Sequence, residues 1–354
     1  FATGAEVLSY IGGGSIIGPW VPYVSGTDQI ARTEGAATYN TSLGFQALEA
    51  LAAGGNYNTA LGAEAGTAIT TGDQNVAIGY QALQTEDTGS RNVAVGAYAL
   101  KDLNNDALNY NVGVGYAAGL SISTGIENTL IGGLAGDALT TGGFNVAIGY
   151  LALSAEDGNG RNVAIGSAAL YTQNAGADAY NVAIGYSAGS VISTGPENTI
   201  IGGLAGDALT TGGYNVAVGF RALSTEDAHG YNVAIGYQAL NVQDAGANAA
   251  NVAVGFNAGG GITTGINNTI MGGYAGDGLT TGSYNIAIGY GTLSAEDAHG
   301  RNVAIGTYTL YNQNAGTDAY NIAVGYETGY NVSTGVRNTL IGGSAGVALT
   351  TGSY

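Results

Sequence analysis

An asparagine followed four residues later by a glycine recurs eighteen times, from Asn40 with Gly44 to Asn338 with Gly342, and this repeat limits the possible folds more than any other feature of the chain. From Asn75 onward, steps of 17 residues are broken by one step of 19 in every four. The result is a 70-residue super-repeat that begins at Asn75, Asn145, Asn215 and Asn285. A fixed period of this size marks an array whose units pack only on their neighbours, so the chain lengthens without a thicker core.

Read by column, each unit places β-branched residues at the first and third positions after Asn, as in Val146 and Ile148 or Ile286 and Ile288, with Ala usually between them. Period-two alternation predicts a short strand with one buried face, and the Ala between suits a face where another surface lies close. The invariant Gly at the fourth position predicts a corner, because a bend of that kind strains any residue with a Cβ. Ala at the seventh position and Leu or Gly at the eighth, as at Leu153, Leu170, Gly189 and Gly206, read as a second short strand. Ile192 to Gly195 and Leu209 to Gly212 read as a third before a turn. Proline is almost absent from the array, as continuous backbone ladders require. The fold expected is all-β: a parallel β-solenoid, or β-roll, of about 18 coils of 17 to 19 residues. At an inter-strand spacing of ~4.8 Å its length is ~86 Å.

Residues 1–39 lie outside the repeat and hold the only Trp, Trp20, with Pro19 and Pro22; they read as a cap or a subunit-docking element, and residues 40–354 as the array. Tyr354 matches Tyr284, the residue before Asn285, so another unit would begin after it. Trp20 and Tyr354 are therefore the candidate assembly residues for head-to-tail growth.

Seven Lys and Arg against 25 Asp and Glu give a net charge of −18, which disfavours nucleic acid as a partner. No apolar run reaches the ~18 residues of a membrane-spanning helix. Cysteine is absent, which removes disulfides, thiolate metal sites and cysteine nucleophiles. The two histidines, His229 and His299, have Gly89 and Asn159 as equivalents in the earlier blocks, and the carboxylate pairs recur without a unique partner; they read as loop residues, not as a catalytic centre or a His metal site. No catalytic residue and no cofactor is expected. Among metals, calcium is the candidate, at Glu156 and Asp157 beside Gln173 and Asn174, and at Glu86, Asp87, Asp102 and Asn104. The weightier reading of these acidic loops is that they are solvated.

The Asn column reads as an amide ladder. Arg161, between Phe144 and Tyr180 on adjacent coils, reads as a cation–π contact. The fifth column alternates large and small, as in Tyr150, Ser167, Tyr186 and Gly203, and its rings read as corner packing, or else as a glycan-binding or sister-chain surface.

The phrases NVAIGYLAL, NVAIGSAAL and NVAVGFRAL, repeated over about residues 40–354, resemble the head repeats of YadA-type trimeric autotransporter adhesins and the repeats of phage-type tail fibres. The resemblance implies a left-handed parallel β-roll, commonly trimeric, in the shaft or head of an extracellular fibre of bacterial or phage origin. The units here are longer than the family's, so each coil holds an extra loop or strand. The function expected is a non-enzymatic structural protein that builds an extracellular fibre by head-to-tail self-assembly, its partner being another copy of itself. The alternative is a trimeric adhesin or tail-fibre shaft that binds a cell surface or glycan.

Overall fold

A computed structural model describes residues 28–29 and 39–353. Strands β2 (Thr41–Phe45) to β19 (Thr339–Ile341) are the eighteen coil strands, each pairing in parallel and in register with the next, as Val146, Ala147 and Ile148 pair with Val163, Ala164 and Ile165. One short strand, β1 (Asp28–Gln29), runs antiparallel to β2 at the first edge. The chain is thus a parallel β-solenoid of eighteen coils.

The strand faces inward with its alanines. Ala77, Ala94, Ala147 and Ala217 are fully buried, while the flanking Val and Ile are half-buried or exposed. The buried face of the strand is thus the alanine face. The reason is volume: the interior must also hold one large side chain per coil, contributed by the turn. That is Leu153 or Leu170 in the first two units of a block, and Ile192 or Leu209 in the last two. The last unit carries a large strand residue as well, Ile200 or Leu130, and its turn then carries Gly at the eighth position. A Cβ on Gly136 would come within 2.9 Å of Leu130. Gly at the eighth position therefore leaves room for the large strand residue in that unit.

No second or third strand forms within a coil. Leu151 and Leu153 sit at φ 57° and 52°, the left-handed region, which a strand cannot contain. The turn backbone still bonds between coils: the Leu151 N–H donates to the Gly133 carbonyl at 3.1 Å and the Leu153 N–H to the Ala169 carbonyl at 3.0 Å. The ladder extends past the three-residue strands, which satisfies the buried amides. Gly149 turns the corner at φ 136°, and a Cβ there would meet the Gly166 carbonyl oxygen at 2.5 Å, so only Gly fits.

The asparagine ladder runs side chain to backbone. Asn198 Oδ1 accepts the N–H of Asn215 at 2.9 Å, its Nδ2 donates to the Gly212 carbonyl at 2.9 Å, and its own N–H donates to Asn181 Oδ1 at 2.8 Å. In the 19-residue unit the insertion carries Gly176, fourteen residues after Asn162, into open space, and Asn162 Nδ2 is left without a partner. The inserted loop instead sends Gln173 inward, where its Oε1 accepts Asn181 Nδ2 at 2.8 Å.

Candidate functional site

Two surfaces carry chemistry. The first is the outward face of the strands. In the eighteen coils the first, third and fifth positions after Asn hold no charged residue, in a chain of net charge −18. Ile131, Ile235 and Met271 on this face are 38%, 38% and 42% exposed, and the rings at its edge more so, with Tyr150 at 57% and Tyr186 at 65%. The two strand columns form a strip ~86 Å long and ~10 Å wide, about 900 Å², beyond the few hundred Å² usual for one apolar patch.

Rings border the strip on both sides. From Phe220 they run unbroken through Tyr237, Phe256, Tyr274, Tyr290 and Tyr308, at centroid spacings of 5.1 to 5.9 Å. The alternation expected of the fifth column is filled here by Tyr274 and Tyr308 from the sixth. On the other side Arg161 lies 4.8 Å from the Phe144 ring and 5.7 Å from that of Tyr180, as the cation–π reading expects, and ion-pairs with Asp178 at 2.8 Å. Arg301 repeats the arrangement between Tyr284 and Tyr320, with Asp318.

The second surface is the acidic loop of each block's first unit. Its glutamate points inward: Glu86, Glu156, Glu226 and Glu296 are fully buried. Burial raises the pKa of all four, and those of Glu86 and Glu296 reach about 7. Glu86 is the best satisfied, accepting from the Gly89 N–H at 2.7 Å and from Asn109 Nδ2 at 2.9 Å. In the other three, Oε2 has no partner.

Several of the groups proposed for calcium are otherwise engaged, although Glu156 Oε2 has no partner. Gln173 is tied into the ladder, Asp102 ion-pairs with Lys101 at 3.5 Å, and Glu86 is held by Gly89 and Asn109. Among the described residues, three or more His, Asp and Glu ligand atoms converge at two places: Glu226, Asp227, His229 and Asp244, and Glu296, Asp297 and His299. The sequence reading placed these histidines in a solvated loop. The available signal was Glu-x-x-His with an aspartate 18 residues after the Glu, one coil further on. Trp20 and Tyr354, the assembly candidates, lie outside the described residues, as does nearly all of segment 1–39. Among the described residues no helix is long and apolar enough to cross a membrane.

Comparison with known proteins returns no matching family model, no matching curated protein and no matching solved structure.

Proposed function

We propose that the chain is a non-catalytic structural shaft of an extracellular fibre, built by association of solenoid subunits with one another. The observation that carries this reading is the uncharged outward strand face. Its area of about 900 Å² exceeds the ~800 Å² per partner of a standard stable interface. A partner surface that fits a strip repeating every ~4.8 Å for its whole length is most simply another such strip. Net charge −18 opposes contact between copies everywhere else, and this face is free of it. The YadA-type and tail-fibre resemblance points to the same use and to an association of three. Head-to-tail growth is the other geometry by which copies would join.

Mass measurement in solution with electron microscopy tests this. The expected result is a species of several chains that falls to single-chain mass in the double variant I235K/I305K, with the β signature retained. A wild-type protein of single-chain mass at every concentration, or an assembly indifferent to both lysines, overturns the lateral reading. Filaments with an axial repeat near 86 Å, unaffected by the lysines, would instead support end-to-end growth.

The exposed rings favour a second reading, a fibre shaft that also binds glycan. Tyr186 and Tyr150 stand exposed at the rim of the strip, and saturable binding to glycans lost in Y150A/Y186A would support it.

A further inference from the structure

The corner of the eleventh coil brings four ligand-bearing side chains to one point. Atoms of Glu226, Asp227, His229 and Asp244 all lie within 4.8 Å of one another. The backbone beneath them is pinned on both sides. The Asp227 carbonyl accepts the Thr210 N–H at 2.5 Å, the His229 carbonyl accepts Asn215 Nδ2 at 3.1 Å, and the Asp244 N–H donates to the Thr263 carbonyl at 2.7 Å. The corner is held by the same ladder that holds the rod.

Two of the four groups carry an unsatisfied atom. Glu226 is fully buried; its Oε1 accepts the His229 N–H at 3.2 Å, but its Oε2 has no hydrogen-bond partner. His229 Nδ1 lies 3.4 Å from Glu226 Oε1, yet makes no hydrogen bond to it. That separation is the edge of a tetrahedron whose centre lies ~2.1 Å from each atom, the usual Zn–N and Zn–O distance. A buried carboxylate oxygen without a partner is costly, and a shared cation removes the cost for every oxygen it binds.

We propose that Glu226, Asp227, His229 and Asp244 form a binding site for a borderline divalent transition-metal ion of the zinc class. The imidazole selects the class. Calcium and magnesium take oxygen ligands, six or more in number for calcium, whereas one nitrogen and three carboxylates suit four-coordinate zinc or cobalt. Asp244 belongs to the coil after the other three ligands, so the ion would clamp two coils together at the solenoid corner.

The super-repeat supplies its own controls. The last block keeps Glu296, Asp297 and His299 but has Asn314 in the place of Asp244, and its His299 Nδ1 stands 3.9 Å from Glu296 Oε1. The second block has Asn159 in the place of His229 and Asn174 in the place of Asp244. Three ligands therefore make a weaker site at the last block, and the second block has no imidazole. The proposal is independent of the fibre reading and does not use the outward strand face.

The test is titration of the full chain with Zn²⁺ against a chromogenic chelator, with Co²⁺ as a spectroscopic probe. The expected result is one tighter and one weaker Zn²⁺ per chain, and the visible d–d absorption of four-coordinate Co²⁺ at the tighter site. D244N should weaken the tighter site by at least about tenfold, towards the affinity of the last block. H229N installs the residue that the second block already folds with, so folding is retained; it should abolish the tighter site and its Co²⁺ band. Absence of Zn²⁺ binding, binding that survives in H229N/H299N, or displacement of Zn²⁺ by equimolar Ca²⁺ would each overturn the proposal.

Discussion

Replacing Asn198 with Ala tests whether the amide ladder holds the rod together. Asn198 is buried, and its side chain satisfies two buried backbone groups, the Asn215 N–H and the Gly212 carbonyl, each at 2.9 Å. Truncation orphans one donor and one acceptor, at about 1–3 kcal/mol each, so a loss of about 4 kcal/mol is expected. Asn162 is the control. Its Oδ1 accepts the Asn181 N–H at 3.0 Å, but its Nδ2 has no partner. N162A therefore orphans one group and removes another that was already orphaned, and the two effects nearly cancel. The same chemical change should differ by about 3–4 kcal/mol between the two columns.

The assay has to be local, because long repeat arrays need not unfold in two states. Amide hydrogen exchange over the coils on either side of each site reads the opening free energy directly. At 1.4 kcal/mol per decade, N198A should lower protection by about a thousandfold around Asn215, and N162A by less than about tenfold around Asn181. Equal effects in the two variants, or a larger one in N162A, would refute the bookkeeping of ladder partners on which the prediction rests.

Two further outcomes follow from the corner residues. Glu86 has its pKa raised by burial from 4.5 to about 7, with the charge of Asp87 adding to the rise and backbone hydrogen bonds from Gly89 and Asn105 opposing it. The folded state thus holds a proton that the unfolded state has released; Glu86 destabilises least below about pH 4.5, and stability falls as pH rises to about 7. E86Q should remove up to about 3 kcal/mol of that loss, read as a flatter pH dependence of the denaturation midpoint. G149A should cost more than about 3 kcal/mol, since its φ of 136° strains any side chain and a Cβ would strike the Gly166 carbonyl. G176A, at φ 69° with no atom within 4 Å of the new Cβ, should cost only about 1 kcal/mol, measured by the same melts.

The period, the strand positions, the Gly corners and the Asn column could be read from residue identities, because each is enforced by a rule that a single residue type satisfies. The direction of the strand could not. Val-Ala-Ile alternation fixes which residues share a face but leaves open which face is inside; that depends on how much volume the turn puts into the core, and Leu153 and Leu170 fill it. The turns were misread as strands because Leu at the eighth position signals burial, while its left-handed backbone leaves no trace in residue type. Column counting places Asp244 one coil above Asp227, 17 residues on, but the inward course of Glu226 and the turn of His229 towards it do not follow from residue type.

The burial of the alanine face has a consequence for how such a rod is stabilised. Its interior is lined largely by alanine, with about one Leu or Ile per coil, so each coil buries little apolar area of its own. Stability must then rest heavily on continuous hydrogen-bonding: the backbone ladder through strand and turn, and an asparagine in every coil that serves its neighbour. Such bonds contribute only about 1 kcal/mol each, but they repeat with every coil added. Meanwhile the larger Val and Ile side chains stand outside, in columns from which charge is absent. A chain whose small apolar residues fill its core and whose larger ones line an uncharged strip has part of its hydrophobic stabilisation still to realise. Joining two strips would remove that surface from water in register, one coil against one coil. Stability and association should then be coupled, and the lysine variants, as separated single chains, should melt at a lower temperature than the assembled wild type, whose melting temperature should rise with protein concentration.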